Sequence, residues 1–261
     1  EKALSIDPEL SEAHTSLGIY EIFCGYDWSR AESAFKRAIE MNPQNSDARH
    51  FYCHFLQGMN RHDEAIAQIN EALKIEPFSL IVNAETGWAY YLARRFDEAL
   101  PLLRQAKDME PGFFLTYLPL AQTYIQKGFY PEAIAELKRA AELSGNHPAI
   151  RSELASAYAL SGRRSEAVKI LREFESQAGR EFFDPYFIAV VYLALDDKDK
   201  AIEWLEKSYK VRSNWLLWMN AEPKLDPIRN DPRFQELLAA IYTSDLVSRA
   251  SDRAALTFDR R

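Results

Sequence analysis

Residues 61–77 read RHDEAIAQINEALKIEP, and nearly the same phrase returns as RFDEALPLLRQAKDMEP at 95–111 and FYPEAIAELKRAAELSG at 129–145. The shared alanine recurs every 34 residues, at Ala31, Ala65, Ala99, Ala133, Ala167 and Ala201. A large apolar residue stands four positions after each alanine: Phe35, Ile69, Leu103, Leu137, Leu171 and Leu205. A helix breaker ends the first five periods, at Pro43, Pro77, Pro111, Gly145 and Gly179. A register kept over six periods indicates a repeat architecture.

Each period contains two amphipathic stretches separated by a short polar turn, which predicts a helical hairpin. In the second period these stretches are 45–58 and 62–75. Small residues on both stretches allow the two helix axes to approach to about 8–10 Å. The turns carry residues suited to a left-handed helix end: Gly25, Asn60, Gly128 and Gly162. Because one hairpin cannot bury its own apolar stripe, successive hairpins are expected to stack.

The pattern resembles the tetratricopeptide repeat (TPR), whose signature places a Trp, a Gly and a Tyr before an Ala, a large apolar residue and a Pro. The stretch TGWAY (86–90) followed by Ala99, Leu103 and Pro111 is among the closest matches. The tyrosine of the signature recurs at Tyr90, Tyr124, Tyr158 and Tyr192. The resemblance implies an all-α fold: a right-handed α-α superhelix of six helical hairpins with an N-terminal half-repeat and a C-terminal capping helix.

The period predicts the boundaries of these units. The six repeats are 9–43, 44–77, 78–111, 112–145, 146–179 and 180–213. The first repeat has one extra residue, which we place in the turn GYDWSR (25–30). Residues 1–8 are interpreted as the end of a truncated preceding repeat, so the chain is expected to be a piece of a longer protein. Residues 214–250 are predicted to be a cap and 251–261 a tail.

The cap contains the stretch NDPRFQELLAAIYTSDL (230–246), which has a capping Asn or Asp, a proline in the first turn and a one-sided apolar stripe. We predict a helix here that covers the apolar end of the sixth repeat. Trp215 and Trp218 precede it, and their interpretation is open between a core at the end of the solenoid, which we favour, and a binding feature.

The TPR resemblance implies that the first helix of each hairpin lines the concave surface, and it therefore implies a set of candidate peptide-binding residues. They are Ile81, Trp88 and Tyr91 in the third repeat, Leu115, Leu118, Gln122 and Ile125 in the fourth, and His50 and His54 in the more polar second repeat. An exposed apolar groove of this kind usually marks an interaction site. The alternative is that curvature or a loop from the cap buries it. Pro119 is expected to kink the fourth repeat's first helix.

Several classes of function are disfavoured. A net charge of −7 and a pI near 5.4 make nucleic-acid binding improbable, because that binding depends on Lys and Arg. No apolar stretch is long enough to insert into a membrane. His50, Cys53 and His54 share a helical face, but no paired motif completes a metal site, so neither a metal nor another cofactor is predicted. The carboxylate pairs that open the second helices are favoured there by the helix dipole, and we predict no enzyme activity.

The leading hypothesis is a protein–protein interaction scaffold that binds a peptide or helix in its concave groove. Stretches such as GWAYYLARRFDEAL (87–100) and LDPIRNDPRFQELL (225–238) also resemble the repeat regions of bacterial multidomain signalling proteins. By that resemblance the chain would be the recognition part of a larger, cytoplasmic protein. The alternative is a module for self-association, for example a homodimer. The lysine and asparagine of the chaperone-binding carboxylate clamp are replaced here by Thr15 and Ile19, so that partner class is rejected.

Overall fold

The computed structural model describes residues 2–178 and 183–243, and in these residues every regular element is helical. A short helix α1 (Lys2–Ile6) is followed by six helix pairs. The pairs are α2 (Ser11–Tyr20) with α3 (Trp28–Met41), α4 (Ser46–Gly58) with α5 (His62–Ile75), α6 (Leu80–Leu92) with α7 (Phe96–Met109), α8 (Tyr117–Gln126) with α9 (Tyr130–Leu143), α10 (Pro148–Leu160) with α11 (Arg164–Gln177), and α12 (Tyr186–Ala194) with α13 (Lys198–Val211). The prediction of an all-α superhelix of six hairpins is confirmed. Gly179, the first residues of the predicted sixth repeat (180–182), the end of the predicted cap (244–250) and the tail at 251–261 lie outside the described residues.

The repeated small residues are the places where the two helices of a hairpin approach most closely. A Cβ atom on Gly87 of α6 would lie 2.4 Å from Cγ of Leu103 on α7, and one on Gly18 of α2 would lie 2.6 Å from the Phe35 ring on α3. In these two hairpins the large residue of the second helix therefore packs directly on the small residue of the first helix. Ala99, the repeated alanine of the third hairpin, is likewise fully buried. The 34-residue spacing thus places the residues that pack between paired helices at the same position in successive hairpins.

The extra residue of the first repeat lies slightly before its predicted position. Residues Glu21–Gly25 form a π-helical turn, and Tyr26 N donates to Glu21 O at 2.6 Å. A π turn accommodates one additional residue within a helix, which explains the insertion. Tyr26 (φ 57°) takes the left-handed conformation that was predicted for Gly25, whereas Asn60 and Gly128 adopt it as predicted.

The fourth hairpin also begins differently from the prediction. A 3₁₀ turn, Phe114–Thr116, precedes α8, so Pro119 is the third residue of that helix and not an interior residue. An N–H at this position has no acceptor within the helix, so the missing donor of Pro119 is tolerated. The expected kink in mid-helix is therefore wrong, because the helix starts later than the period suggests.

After α13 the chain turns at Arg212 (φ 56°) and forms two 3₁₀ segments, Asn214–Trp218 and Pro223–Ile228, before the last helix α14 (Pro232–Tyr242). This helix packs on α13, as predicted for a cap. It also reaches the first repeat: Trp28 Nε1 on α3 donates to Ile241 O at 3.2 Å. Tyr26 donates from its hydroxyl to Arg212 O at 3.1 Å. The C-terminal part of the chain therefore links the two ends of the array.

Candidate functional site

Residues 214–228, which we name the inner segment, cross the face formed by the first helices of the hairpins. Trp218 lies 5.0 Å from Trp88 of α6 and 5.3 Å from His54 of α4, measured between ring centroids. Trp215 stacks on Tyr186 of α12 at 5.5 Å with an angle of 6° between the rings. The two tryptophans thus lie against the inner helices of the second, third and sixth repeats, not at the end of the solenoid.

The inner segment is attached by a buried cluster of charges. Lys224 makes an ion pair with Glu153 of α10, and its Nζ lies 3.6 Å from Glu222 Oε2. Tyr91 of α6 donates from its hydroxyl to Glu222 Oε1 at 2.6 Å. Burial raises the pKa of Glu222, and the ammonium group of Lys224 opposes that rise. One cation thus compensates two carboxylates that are almost completely buried.

A second ion pair lies at the rim. Arg94, in the turn after α6, donates to both carboxylate oxygens of Asp226 at 2.5 and 2.7 Å. Both side chains are more than 40% exposed, so this pair adds little stability, although its bidentate geometry orients the segment. A closer constraint comes from Gly58, where an added Cβ would lie 2.4 Å from Leu217 O. The glycine therefore lets the backbone of the inner segment approach α4.

The inner segment divides the space along the inner helices into separate cavities. The first, which we name the aromatic cavity, has a volume of about 350 Å³ and is lined mainly by Phe23, Trp88, Leu115, Leu118, Trp215 and Trp218, with His54, Glu85 and Gln122 as polar members. The second, of about 330 Å³, lies on the other side of the segment. It is lined by Ile125, Leu160 and Leu193 together with the charged side chains of Glu153, Lys224 and Asp226.

The nine residues predicted from the sequence are distributed over this arrangement. Trp88, Leu115, Leu118, Gln122 and His54 meet in the aromatic cavity, and Leu115 is 41% exposed. Tyr91 and Ile125 border the second cavity, but Tyr91 has no exposed surface because the inner segment covers it. His50 is buried beside His54, and Ile81 is half-buried against the core of the first repeats. A partner can therefore contact only part of the predicted set while the inner segment is in place.

Sequence reasoning missed the residues that the inner segment brings and those that face it. Glu222 and Lys224 lie in a stretch, NAEPKLD, that has no repeat partner. Glu153 and Glu85 occupy positions within α10 and α6 that the TPR inner-face pattern does not include. The only signal in the sequence is that Glu85 and Glu153 are acidic residues on helices that are otherwise apolar or rich in small residues. That signal does not show which side chains they contact.

These features define a class of protein, a helical-repeat solenoid whose inner face is partly occupied by its own chain. A family model described as "Tetratricopeptide repeat" matches residues 26–84, 90–142 and 128–179, and a second one with the same description matches 186–214. The chain belongs to the tetratricopeptide repeat family. Its members are generally non-catalytic scaffolds for protein–protein interaction, and the fold supports that role here.

Solved structures have the same fold. A chain of the APC/C hetero-tetramer Cut9–Hcn1 aligns with a TM-score of 0.63 and 20% identity, over 93% of this chain and 44% of that one. A thermophilic TPR protein of Thermus thermophilus aligns with a TM-score of 0.60 and 23% identity, over 75% and 99%. The pilF protein of Pseudomonas aeruginosa aligns with a TM-score of 0.56 and 18% identity, over 82% and 96%. None of the curated proteins compared with the chain gave a match.

Among the helices of 2–178 and 183–243, none combines the length and the apolar character that crossing a bilayer requires.

Proposed function

We propose that the chain is the recognition part of a larger cytoplasmic protein of bacteria, and that it has no catalytic step of its own. In this proposal a peptide from a partner protein inserts an apolar side chain into the aromatic cavity. The observation that carries it is the cavity itself: it is open, walled by three tryptophans and bordered by Leu115 at 41% exposure. The role within a larger protein rests on the resemblance to bacterial multidomain signalling proteins.

Size and chemistry favour one side chain of a peptide as the occupant. A volume of about 350 Å³ is at the lower end of the range of about 300–1,000 Å³ typical of ligand sites, so it suits an anchor residue and not a whole helix. Aromatic side chains around a concave pocket are the groups that most often dominate binding energy. The second cavity is a weaker candidate, because Lys224 and Glu153 already pair within its wall.

The test uses two matched substitutions on opposite sides of the inner segment. Peptides are selected from a displayed random library against the wild-type protein, and their affinities are measured by fluorescence anisotropy. Leu115→Glu is expected to weaken binding at least tenfold, about 1.4 kcal/mol, because it places a charge in the aromatic cavity. Leu160→Glu makes the same change at a residue that is 45% exposed and borders the second cavity, and it is expected to have no effect.

Three results would reject the proposal. The selection could yield no peptide that binds specifically, or the peptides could respond to Leu160→Glu instead of Leu115→Glu. The third is a dimer of the free protein, detected by light scattering, that Leu115→Glu dissociates. That result would show that a second copy of the chain occupies the cavity and that the module serves self-association.

A further inference from the structure

Three potential metal ligands converge next to the aromatic cavity. His50 and His54 are one turn apart on α4, and their Nε2 atoms lie 3.1 Å from each other. Glu85 of α6 brings its Oε2 to 3.8 Å from His54 Nε2. One ligand atom from each of these residues lies within 4.8 Å of the other two. Cys53, which the sequence groups with the histidines, is not part of this cluster, and its Sγ accepts a hydrogen bond from Gln57.

The hydrogen bonds of Gln57 determine which nitrogen of His54 is available. Gln57 Oε1 lies 3.2 Å from Trp218 Nε1, which can only donate, so this oxygen is an acceptor. The same oxygen lies 3.3 Å from His54 Nδ1, which must therefore carry the proton. The lone pair of His54 is then on Nε2 and points to His50 and Glu85. Metal-binding histidines are oriented in this way by a hydrogen bond from their other nitrogen.

A hydrogen bond between the two imidazoles leaves Glu85, the third residue of the cluster, without a hydrogen-bond partner for its Oε2 in the part of the chain that the structure describes. His50 Nε2–H can donate to His54 Nε2, but Glu85 Oε2 is shielded from water and has no hydrogen-bond partner among the described residues. The hydrogen bonds within the cluster therefore leave one buried carboxyl oxygen without a hydrogen-bond partner among the described residues.

We propose that His50, His54 and Glu85 bind a first-row transition-metal ion such as Zn²⁺. Two nitrogen ligands on a tetrahedral Zn²⁺ lie about 3.3 Å apart, which follows from Zn–N distances of about 2.0–2.1 Å and is close to the distance between the two imidazoles. Imidazole and carboxylate ligands suit zinc and its neighbours in the series. Since His54 and Glu85 also line the aromatic cavity, the remaining coordination position faces that cavity and is available to water or to a donor atom of a ligand.

The experiment measures metal binding directly, with no peptide present. The purified protein is titrated with Zn²⁺ in competition with a chromophoric chelator, and with Co²⁺ while its visible absorption is recorded. One equivalent of each ion is expected to bind, with the absorption of a four- or five-coordinate Co²⁺ site. His54→Gln and Glu85→Gln are each expected to weaken Zn²⁺ binding at least tenfold. The control His14→Gln changes a histidine outside the cluster and is expected to leave binding unchanged.

Folding is checked in parallel by circular dichroism and by melting with and without Zn²⁺. Zn²⁺ is expected to raise the melting temperature of the wild type and not that of Glu85→Gln, which keeps the shape of the side chain and is expected to fold even if His54→Gln does not. The proposal is overturned if the wild type binds less than one equivalent, or if folded Glu85→Gln binds Zn²⁺ as tightly as the wild type. Equal losses in Glu85→Gln and His14→Gln would also overturn it. The peptide-binding test does not depend on these outcomes.

Discussion

Replacement of Lys224 by Met tests whether the buried ion pairs attach the inner segment. The side chains of Lys224, Glu153 and Glu222 are 13%, 6% and 2% exposed. Met keeps most of the aliphatic volume, so the loss comes mainly from the removed charge. Removing one partner of a buried pair costs about 3–5 kcal/mol, because the remaining charge has neither water nor a counter-ion. We therefore expect Lys224→Met to lower the free energy of unfolding by about 3–5 kcal/mol at pH 8, from a total of about 5–15 kcal/mol.

This loss should depend on pH in a definite direction. Burial already raises the pKa of Glu222, and without Lys224 that pKa rises further. An acid whose pKa is higher in the folded state destabilises the fold above that pKa, and the penalty disappears as the pH falls toward the unfolded value. The deficit of Lys224→Met should accordingly be largest at pH 8 and clearly smaller at pH 5.

The assay is urea denaturation followed by tryptophan fluorescence at both pH values. Lys74→Met is the matched control, since Lys74 forms its ion pair with Glu71 at 2.6 Å but is 71% exposed, and an exposed pair adds little stability. The double variant Glu222→Gln/Lys224→Met should recover part of the stability, because one uncompensated carboxylate is gone. A loss below about 1 kcal/mol at pH 8, or a loss that is the same at pH 5, would refute the reasoning.

Two further substitutions give distinct expectations. In metal-free protein, Glu85→Gln should stabilise the fold by about 2–4 kcal/mol at pH 8 and by almost nothing at pH 4.5. The reason is that the pKa of Glu85 is about 8 in the folded protein, so its ionisation destabilises the fold as the pH rises above the pKa of the unfolded chain. Chemical denaturation of both proteins across this pH range is the test, and equal stabilities throughout would contradict the prediction. Gly58→Ala should lower the free energy of unfolding by about 1–3 kcal/mol, since the new Cβ would meet Leu217 O. In the control Gly112→Ala the new Cβ meets only a flexible side chain, so the melting temperature should not change. Equal melting temperatures for the two variants would argue against the close approach of the inner segment to α4.

The helix pairs could be predicted from the sequence because their cause is local. The prediction of 62–75 coincides with α5, and that of 45–58 begins one residue before α4. An amphipathic stripe with a period of 3.6 residues and small residues at a fixed interval specify each hairpin without reference to distant parts of the chain. The π turn at Glu21–Gly25 was less accessible, because a single inserted residue can be placed in the helix or in the turn after it.

The sequence by itself therefore determined the all-α repeat fold and the apolar character of the inner helices. Only the tertiary structure decided what covers them. Trp215 and Trp218 could be buried equally well at the end of a solenoid or on its inner face, so amino-acid composition does not distinguish these two locations. Lys224 and Glu153 are 71 residues apart, and Glu85 joins His54 only because α4 and α6 are neighbours. Such contacts depend on how the hairpins curve around the inner segment, and a repeat period carries no information about that closure.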